Sequence, residues 1–460
     1  VVSPIFLKDS ISMSTTASPT LAAAPTSFAA CGVPAVLVDH LAASGIDSPF
    51  PIQSATLPDS LAGRDVLGRG RTGSGKTLAF GLPLVTRLAA DGRRTKAGAP
   101  RGLVLVPTRE LANQVLEVVT PLAQALSLRA TVIFGGVGQG KQVQALQSGV
   151  DIVIATPGRL EDLMQQGHCR LDQVSVTVLD EADHMADLGF LPAVTRILGK
   201  TPERAQRLLF SATLDRGIDV LVKRFLHDPV THSVDPVEAP VTAMTHHVMT
   251  VDHTDKTAVV HELASGMGRS VLFTRTKHGA KKLAKQLTTA GIPAVDLHGN
   301  LGQSARERNL AAFSDGSVRV LVATDIAARG IHVDDVALVV HVDPPAEHKA
   351  YLHRSGRTAR AGAGGVVVTV ATREQSAEVR TLAKQAGIKP TVVSVVPGAP
   401  EIAKLRGNRA PHVTPAPAPV TAPQRATAQR SDRAAGRPAG APGRRSRGRG
   451  RSGGPGRTSR

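Results

Sequence analysis

Short apolar, β-branched runs alternate with helical patterns along this chain, and they do so in two successive series. The first series is Leu103–Val106, Thr131–Phe134, Ile152–Ala155, Val174–Leu179 and Leu208–Phe210. The second is Ser270–Phe273, Ala294–Leu297, Val318–Ala323, Val336–Val342 and Gly365–Ala371. Near-continuous apolar strands separated by helices predict parallel sheets covered on both faces, that is, an α/β fold. The series also match in detail. Val106-Pro107-Thr108-Arg109 and Phe273-Thr274-Arg275-Thr276 each end a strand in a Thr/Arg turn. About 50 residues after each, a strand ends in Ala-Thr, at Ala155-Thr156 and Ala323-Thr324. Ligands of open α/β sheets bind outside the carboxyl ends of the strands. Two similar domains facing each other across a cleft are therefore expected. The short, Pro-bearing Val234–Ala243 is their linker.

Within this frame, Gly70-Arg71-Thr72-Gly73-Ser74-Gly75-Lys76-Thr77 fits G-x-x-x-x-G-K-[ST], a phosphate-cradling loop. Its glycines let backbone N–H groups converge on phosphate oxygens. Lys76 supplies charge for the outer phosphates, and the Thr77 hydroxyl is placed to hold Mg²⁺. Val176-Thr177-Val178-Leu179-Asp180-Glu181-Ala182-Asp183 is an apolar strand ending in acids. An acid at the end of a neighbouring strand completes the metal shell of such sites, so Asp180 is assigned to the metal and Glu181 to the attacking water.

With 460 residues, two or three domains are expected. No run of about 18 apolar residues predicts a membrane-spanning helix. Residues 1–27 lack the layout of a secretory signal and are rich in Ser, Thr, Ala and Pro; they are expected to be disordered. Met13 is an alternative start within them. Cys31 and Cys169 form neither a disulfide framework nor a metal spacing, in keeping with a reducing, cytoplasmic setting. Net charge is +18, of which twelve fall in residues 406–460, with thirteen arginines and one acid. From residue 400 onward the Pro/Ala- and then Gly/Arg-rich composition predicts a disordered basic tail.

Taken together and in order, these motifs resemble the DEAD-box ATP-dependent RNA helicases of superfamily 2, of the bacterial type with a basic Arg/Gly-rich tail. The likeness spans about Phe28 to Gly398. It implies two tandem RecA-like domains, 28–233 and 244–399, joined by the linker 234–243, with extensions at 1–27 and 400–460. It implies ATP and Mg²⁺ as cofactors and RNA as partner, bound largely without regard to sequence by a monomer that uses no membrane. The wider assembly, ribosome maturation or RNA decay, stays open.

Residue by residue, Pro49-Phe50-Pro51-Ile52-Gln53 resembles the family's Q motif, with Phe28 as its upstream aromatic. Gln53 is implied to read adenine, and Phe28 to stack on it. Thr72, Gly73, Ser74, Gly75, Lys76 and Thr77 are implied to hold the phosphates. Pro107-Thr108-Arg109, Gly135-Gly136 and Thr156-Pro157-Gly158-Arg159 resemble RNA-facing motifs of the first domain. Gln303 and Arg306, after His298-Gly299, and Thr324 do so in the second. Asp325 is implied to face the ribose. Asp183, Ser211, Thr213 and His353 are implied to couple the ATP site to RNA. Tyr351 to Arg360 resembles motif VI, and Arg357 and Arg360 are the implied arginine fingers. The departures are Gly70 for a usual Ala, Ala186 for a larger apolar residue, His332 for Asp and Ala359 for Gly. None removes a catalytic group.

The implied mechanism is a clamp that ATP and RNA close together and that hydrolysis reopens, locally separating RNA strands and remodelling RNA–protein complexes. Two other classes compete: an RNA annealer or ribonucleoprotein scaffold, and a DNA translocase of the same superfamily. Strand displacement beside annealing separates the first from a helicase; competition with matched DNA separates the second.

Overall fold

A computed structural model describes residues 25–70, 73–213, 216–234, 244–328, 335–359 and 364–414. The expected extension 1–27 lies almost wholly outside these, as do most of the linker and the tail from 415.

The strands are β1 (Val66–Arg69), β2 (Gly102–Leu105), β3 (Ala130–Ile133), β4 (Ile152–Ala155), β5 (Val176–Leu179), β6 (Gln206–Ser211) and β7 (Val230–Ser233), then β8 (Met244–Val251), β9 (Arg269–Phe273), β10 (Ala294–Leu297), β11 (Val320–Ala323), β12 (Val336–His341), β13 (Gly365–Thr372) and β14 (Thr391–Ser394). They form two seven-stranded sheets, ordered β3-β4-β2-β5-β6-β1-β7 and β10-β11-β9-β12-β13-β8-β14. All pairings are parallel. The two orders are the same permutation, so the duplication read from the strand series extends to the whole topology.

The first half carries helices α1 (Ala35–Ala43), α2 (Pro51–Leu61), α3 (Lys76–Ala90), α4 (Arg109–Ala125), α5 (Gly140–Gln147), α6 (Pro157–Gln165), α7 (Ala182–Asp187), α8 (Leu191–Leu198) and α9 (Arg216–Phe225). The second carries α10 (Lys256–Ala264), α11 (Lys277–Thr289), α12 (Gln303–Ser314), α13 (Asp325–Ala328), α14 (His348–Ser355), α15 (Ser376–Gln385) and α16 (Pro400–Arg406). Successive strand residues point to opposite faces. In β2 and β4, Val104, Ile152 and Ile154 join one apolar layer, while Leu103, Leu105, Val153 and Ala155 join the other. Both faces are buried, which is why these strands read as unbroken apolar runs.

Four strands lack that signature. β7 and β14 are sheet edges with partly exposed residues. β1 has two apolar residues before its glycine. β8 contains Thr245, His246 and His247, yet it is internal; its His246 Nδ1 lies 3.0 Å from the Tyr351 hydroxyl. Burial, then the neighbouring His247, lowers the His246 pKa to about 4, and burial raises Tyr351 to about 12. This neutral pair ties β8 to α14.

The expected tail begins too early. α16 follows Ala399 directly, and its Ile402 is fully buried in the core of the second sheet. Arg409 then bridges to Gly266, and the Val413 amide donates to the Gly291 carbonyl. Residues 400–414 therefore belong to the second folded half. Apolar residues at Ile402 and Leu405 supply the anchor that a Pro/Gly-based reading of composition passes over.

Away from the strand ends that carry the motifs, Asp151 staples the other edge of the first sheet. It accepts from Arg101 (2.7 Å), the Arg129 amide (2.9 Å) and Thr95. Burial raises its carboxyl, but the Thr95, Arg101 and Arg129 hydrogen bonds and the Arg101 charge outweigh this and hold it below the usual carboxylate range. Its contribution is therefore present above the ordinary carboxylate pKa and lost as pH falls through the lowered folded value. Asp151→Asn should cost about 3 kcal/mol in a denaturant melt at neutral pH by leaving Arg101 short of charge. The difference from wild type should shrink in acid.

Candidate nucleotide and nucleic-acid site

The phosphate loop joins β1 to α3. Gly75 takes a left-handed φ of 88° immediately before Lys76, and a Cβ there would meet Gln53 Nε2 and Phe50 Cδ2 at 2.5 Å. Only glycine fits both demands. Lys76 is buried and donates to the Gly70 carbonyl at 2.9 Å, folding its side chain back over the loop. The Ser74 hydroxyl is buried with no hydrogen-bond partner. An orphaned hydroxyl and a glycine cradle opening a helix fit a bound phosphate chain. Thr77 is the second residue of α3, half-buried. Thr72 lies outside the described residues.

Gln53 and Phe28 sit differently from expectation. Gln53 is 1% exposed. Its Oε1 accepts from the Phe50 amide (2.8 Å), and its Nε2 donates to the Gly75 carbonyl (2.9 Å). Its amide thus caps α2 and holds the phosphate loop. Phe28 is 2% exposed within the first core. The aromatic open to solvent beside the loop is Phe50, 56% exposed. Spacing alone could not separate these roles, because two phenylalanines flank the same motif.

The acidic turn follows β5. Asp180, Glu181 and Asp183 are all buried. Burial pushes the Asp180 carboxyl well up, against the opposing charge of Lys76 and with the help of Glu181 and Asp183. Burial also pushes on Glu181, but a hydrogen bond from His184, the Lys76 and His184 charges and Arg357 bring it below the usual range. Neighbouring carboxyls are thus driven apart, the pattern expected where one must stay charged. Arg357 belongs to the second half, so part of the charge felt by Glu181 comes from the other side of the cleft. Glu181 itself adopts a left-handed φ of 49°, uncommon for a non-glycine residue. His184 Nδ1 lies 3.3 Å from Glu181 Oε2, and His184 was not singled out from sequence. A histidine at i+3 on a short helix was the available signal. Arg360 lies outside the described residues.

Asp183 joins the acidic turn to the end of β6. Its Oδ2 accepts from both the amide and the hydroxyl of Thr213, each at 2.9 Å. Its own amide donates to Ser211 Oγ at 3.2 Å, and Ser211 Oγ donates to the Thr213 carbonyl at 2.7 Å. Three of the four residues expected to couple the sites, Asp183, Ser211 and Thr213, are one hydrogen-bonded unit. On the second half, Arg354 donates to both Asp325 oxygens (2.5 and 2.7 Å) and to the Asp343 carbonyl, with its guanidinium 5.1 Å from the Phe273 ring centre. Asp325 is thereby held by a bidentate fork, and Arg354 is a second residue the motif reading left unassigned. His353 offers its carbonyl to Arg357 Nε at 3.3 Å.

A cleft of about 570 Å³ runs between the two halves, with Thr108, Arg109, Thr156 and Arg159 on one wall and Gly299 and Arg306 on the other. Thr108 caps α4 by accepting from the Leu111 amide. Gly136, at φ 79°, leaves room that the Arg109 guanidinium occupies. Pro107 and Pro157 are buried, Gly158 is exposed, and Arg159 donates to the Val137 carbonyl. Thr324 is half-buried, its amide donating to the Leu297 carbonyl. Arg306 lines this cleft, but it and Gln303 are already engaged across it. Arg306 Nε donates to Glu110 Oε1 at 2.8 Å, and Arg109 donates to Gln303 Oε1 at 3.2 Å. Gln303 is 6% exposed and also donates to Glu307. The polar groups expected on the nucleic acid pair across the cleft instead, and Glu110, buried at the head of α4, is what draws them.

The DEAD/DEAH box helicase signature matches residues 50–221, and the helicase conserved C-terminal domain matches residues 255–362. DEAD-box ATP-dependent RNA helicase 20 of Arabidopsis thaliana is 35% identical over 393 residues, covering 84% of this chain and 77% of that protein. DEAD-box ATP-dependent RNA helicase 53 of rice is 37% identical over 390 residues, 82% of this chain and 64% of its own length. The structure of Saccharomyces cerevisiae Dbp5 bound to RNA and ADP BeF3 has a TM-score of 0.72 and 30% identity, covering 80% of this chain and 96% of that one. The chain belongs to the DEAD/DEAH box helicase family, with tandem RecA-like domains. It spans 53–64% of the length of several of the curated relatives it matches. No helix among the described residues is long and apolar enough to cross a membrane.

Asp183→Ala would strand the Thr213 amide and hydroxyl and the link to Ser211. Hydrogen bonds to a charged acceptor are worth about 1.5–3 kcal/mol, so a loss of that order is expected in a denaturant melt. Asp183→Asn should lose less, because its amide oxygen still accepts.

Proposed function

We propose that this protein is an ATP-dependent RNA helicase, which binds ATP and RNA cooperatively, opens short RNA duplexes, remodels RNA–protein complexes and hydrolyses ATP to release the RNA. The observation that carries the reading is the glycine cradle with its partnerless Ser74 hydroxyl beside Lys76, Asp180 and Glu181, all withdrawn from water together; the charge of Arg357, from the second half, adds to the lowering of the Glu181 carboxyl. A site assembled from two bodies is complete only when they approach, which makes its activity depend on whatever draws them together.

In this reading the glycine loop and Lys76 hold the triphosphate, and Ser74 Oγ gains the partner it lacks. Thr77 and Asp180 hold Mg²⁺, which when bound neutralises phosphate charge. The raised carboxyl of Asp180 is the group such a cation would return to its charged form. Glu181, kept ionised, orients the attacking water. Arg357, and Arg360 three residues on in the sequence, meet the charge spread over the γ-phosphoryl oxygens, where a finger arginine contributes about 10³–10⁵ in rate. Phe50, exposed beside the loop, is better placed than Phe28 to lie against a base.

The RNA backbone would enter the cleft along Thr108, Arg109, Gly136 and Thr156 to Arg159 on one side, and Arg306 and Thr324 on the other. Main-chain amides, hydroxyls and arginines of this kind hold phosphates without reading bases. The Glu110–Arg306 and Arg109–Gln303 pairs would open or shift to admit it. The division into 28–233 and a second domain from 244 supports this clamp, the second domain running on to 414. The basic segment beyond it adds sequence-independent affinity for single strands. Cytoplasmic residence and action as a monomer belong to the same proposal.

Two ligands that favour one closed state raise each other's affinity. Single-stranded RNA should therefore stimulate ATP turnover and tighten ATP binding; turnover that is equal with and without RNA would refute the clamp. Lys76→Ala and Glu181→Gln should each reduce kcat by at least about 10²-fold, as loss of phosphate positioning or of water activation does. Glu181→Gln should still bind ATP and RNA.

A further inference from the structure

Helix α11 follows β9 just as α4 follows β2, and each opens on a threonine cap: Thr108 accepts from Leu111, Thr276 from Gly279. The two helices hold equivalent places in the two sheets, but their solvent faces differ. α11 carries Lys277, His278, Lys281, Lys282 and Lys285, all exposed, and no acid. At 100° per residue these five fall within an arc of about 140°, opposite the buried Ala280, Leu283, Ala284 and Leu287. α4 exposes Glu117 and no lysine. The architecture therefore does not need a lysine face at this position.

Among the described residues, no carboxylate pairs with Lys281, Lys282 or Lys285. The stripe also begins at the cleft. Lys277 Nζ donates to Asn300 Oδ1 at 3.2 Å, and the neighbours of Asn300, Gly299 and Leu301, line the cleft wall. From Lys277 to Lys285 the helix rises about 12 Å, enough to span two or three phosphates of an extended strand.

We propose that the lysine face of α11 is a second RNA-binding surface, which takes the phosphate backbone of the strand after it leaves the cleft. The proposal rests on the reading of the cleft as an RNA track and extends it to a partner longer than the cleft holds. Short RNA would be gripped by the cleft alone, and longer RNA by the cleft and the stripe together, with little sequence preference, since lysines meet phosphates as point charges.

The test compares the full chain with two triple variants, on single-stranded RNA of about 8 and about 25 nucleotides. The first replaces the stripe, Lys281→Gln, Lys282→Gln and Lys285→Gln. The second removes three equally exposed cations elsewhere, Arg380→Gln, Lys384→Gln and Lys389→Gln. The expected result is that the advantage of long over short RNA falls about ten-fold in the stripe variant only, with the salt slope on long RNA falling by about 2, or 0.7 per phosphate contact. A charge-keeping version, Lys281→Arg, Lys282→Arg and Lys285→Arg, should restore the advantage. An unchanged advantage, or an equal loss in the control triple, overturns the stripe. Failure of the underlying reading would look different: short RNA would neither bind the unaltered chain nor stimulate its ATPase.

Discussion

In a parallel sheet every strand ends at the same edge, and this constraint organises everything the protein can do. The turns after β1, β2, β4, β5 and β6 must converge on one side of the first sheet, and those after β9, β10, β11 and β12 on one side of the second. Residues far apart in sequence thereby become neighbours: the phosphate loop at 70–77, the acidic turn at 180–183 and the Ser211–Thr213 turn share one edge. The opposite edge is free for fastening, and Arg101, Asp151 and Arg129 fasten it.

On that shared edge, burial sets the electrostatics. Asp180, Glu181, Asp183 and Lys76 are withdrawn from water together, so each charge is felt strongly by the others. Desolvation raises Asp180, while donors and cations around Glu181 overcome the same penalty. Asp183 is spent on structure, gathering the Thr213 amide and hydroxyl. Three acids in four residues thus take three different tasks, because each meets a different set of partners. The strained backbone at Glu181 is where the turn accommodates them.

Much of this was legible in the sequence. The ten apolar runs all became strands: eight are interior, where burial on both faces writes a continuous apolar signal, and two, β3 and β10, are edges that keep apolar residues though only partly buried. The glycine loop, the acidic turn and the Thr/Arg turns after β2 and β9 are local chemistry, set by a few consecutive residues. What the sequence concealed has equally physical reasons. β7 and β14 are exposed edges, and β8 replaces apolar content with a buried His246–Tyr351 contact. α16 hides behind a Pro/Gly-rich stretch that precedes an anchored Ile402. Arg354 and His184 stand inside or beside recognisable motifs, but what each does is set by its partner, Asp325 or Glu181.

The amino-acid sequence by itself determined the doubled α/β plan, the nucleotide loop and its acids, and the family, since each rests on short-range periodicity or contiguous motifs. Only the tertiary structure decided which groups are free and which are engaged. Gln53 locks the phosphate loop, Phe28 is core and Phe50 is exposed, and Arg306 and Gln303 close on Glu110 and Arg109 across the cleft. The reason is that a motif fixes which side chain stands at a strand end, whereas its partner is whatever charge the fold brings within about 3 Å, here from nearly 200 residues away.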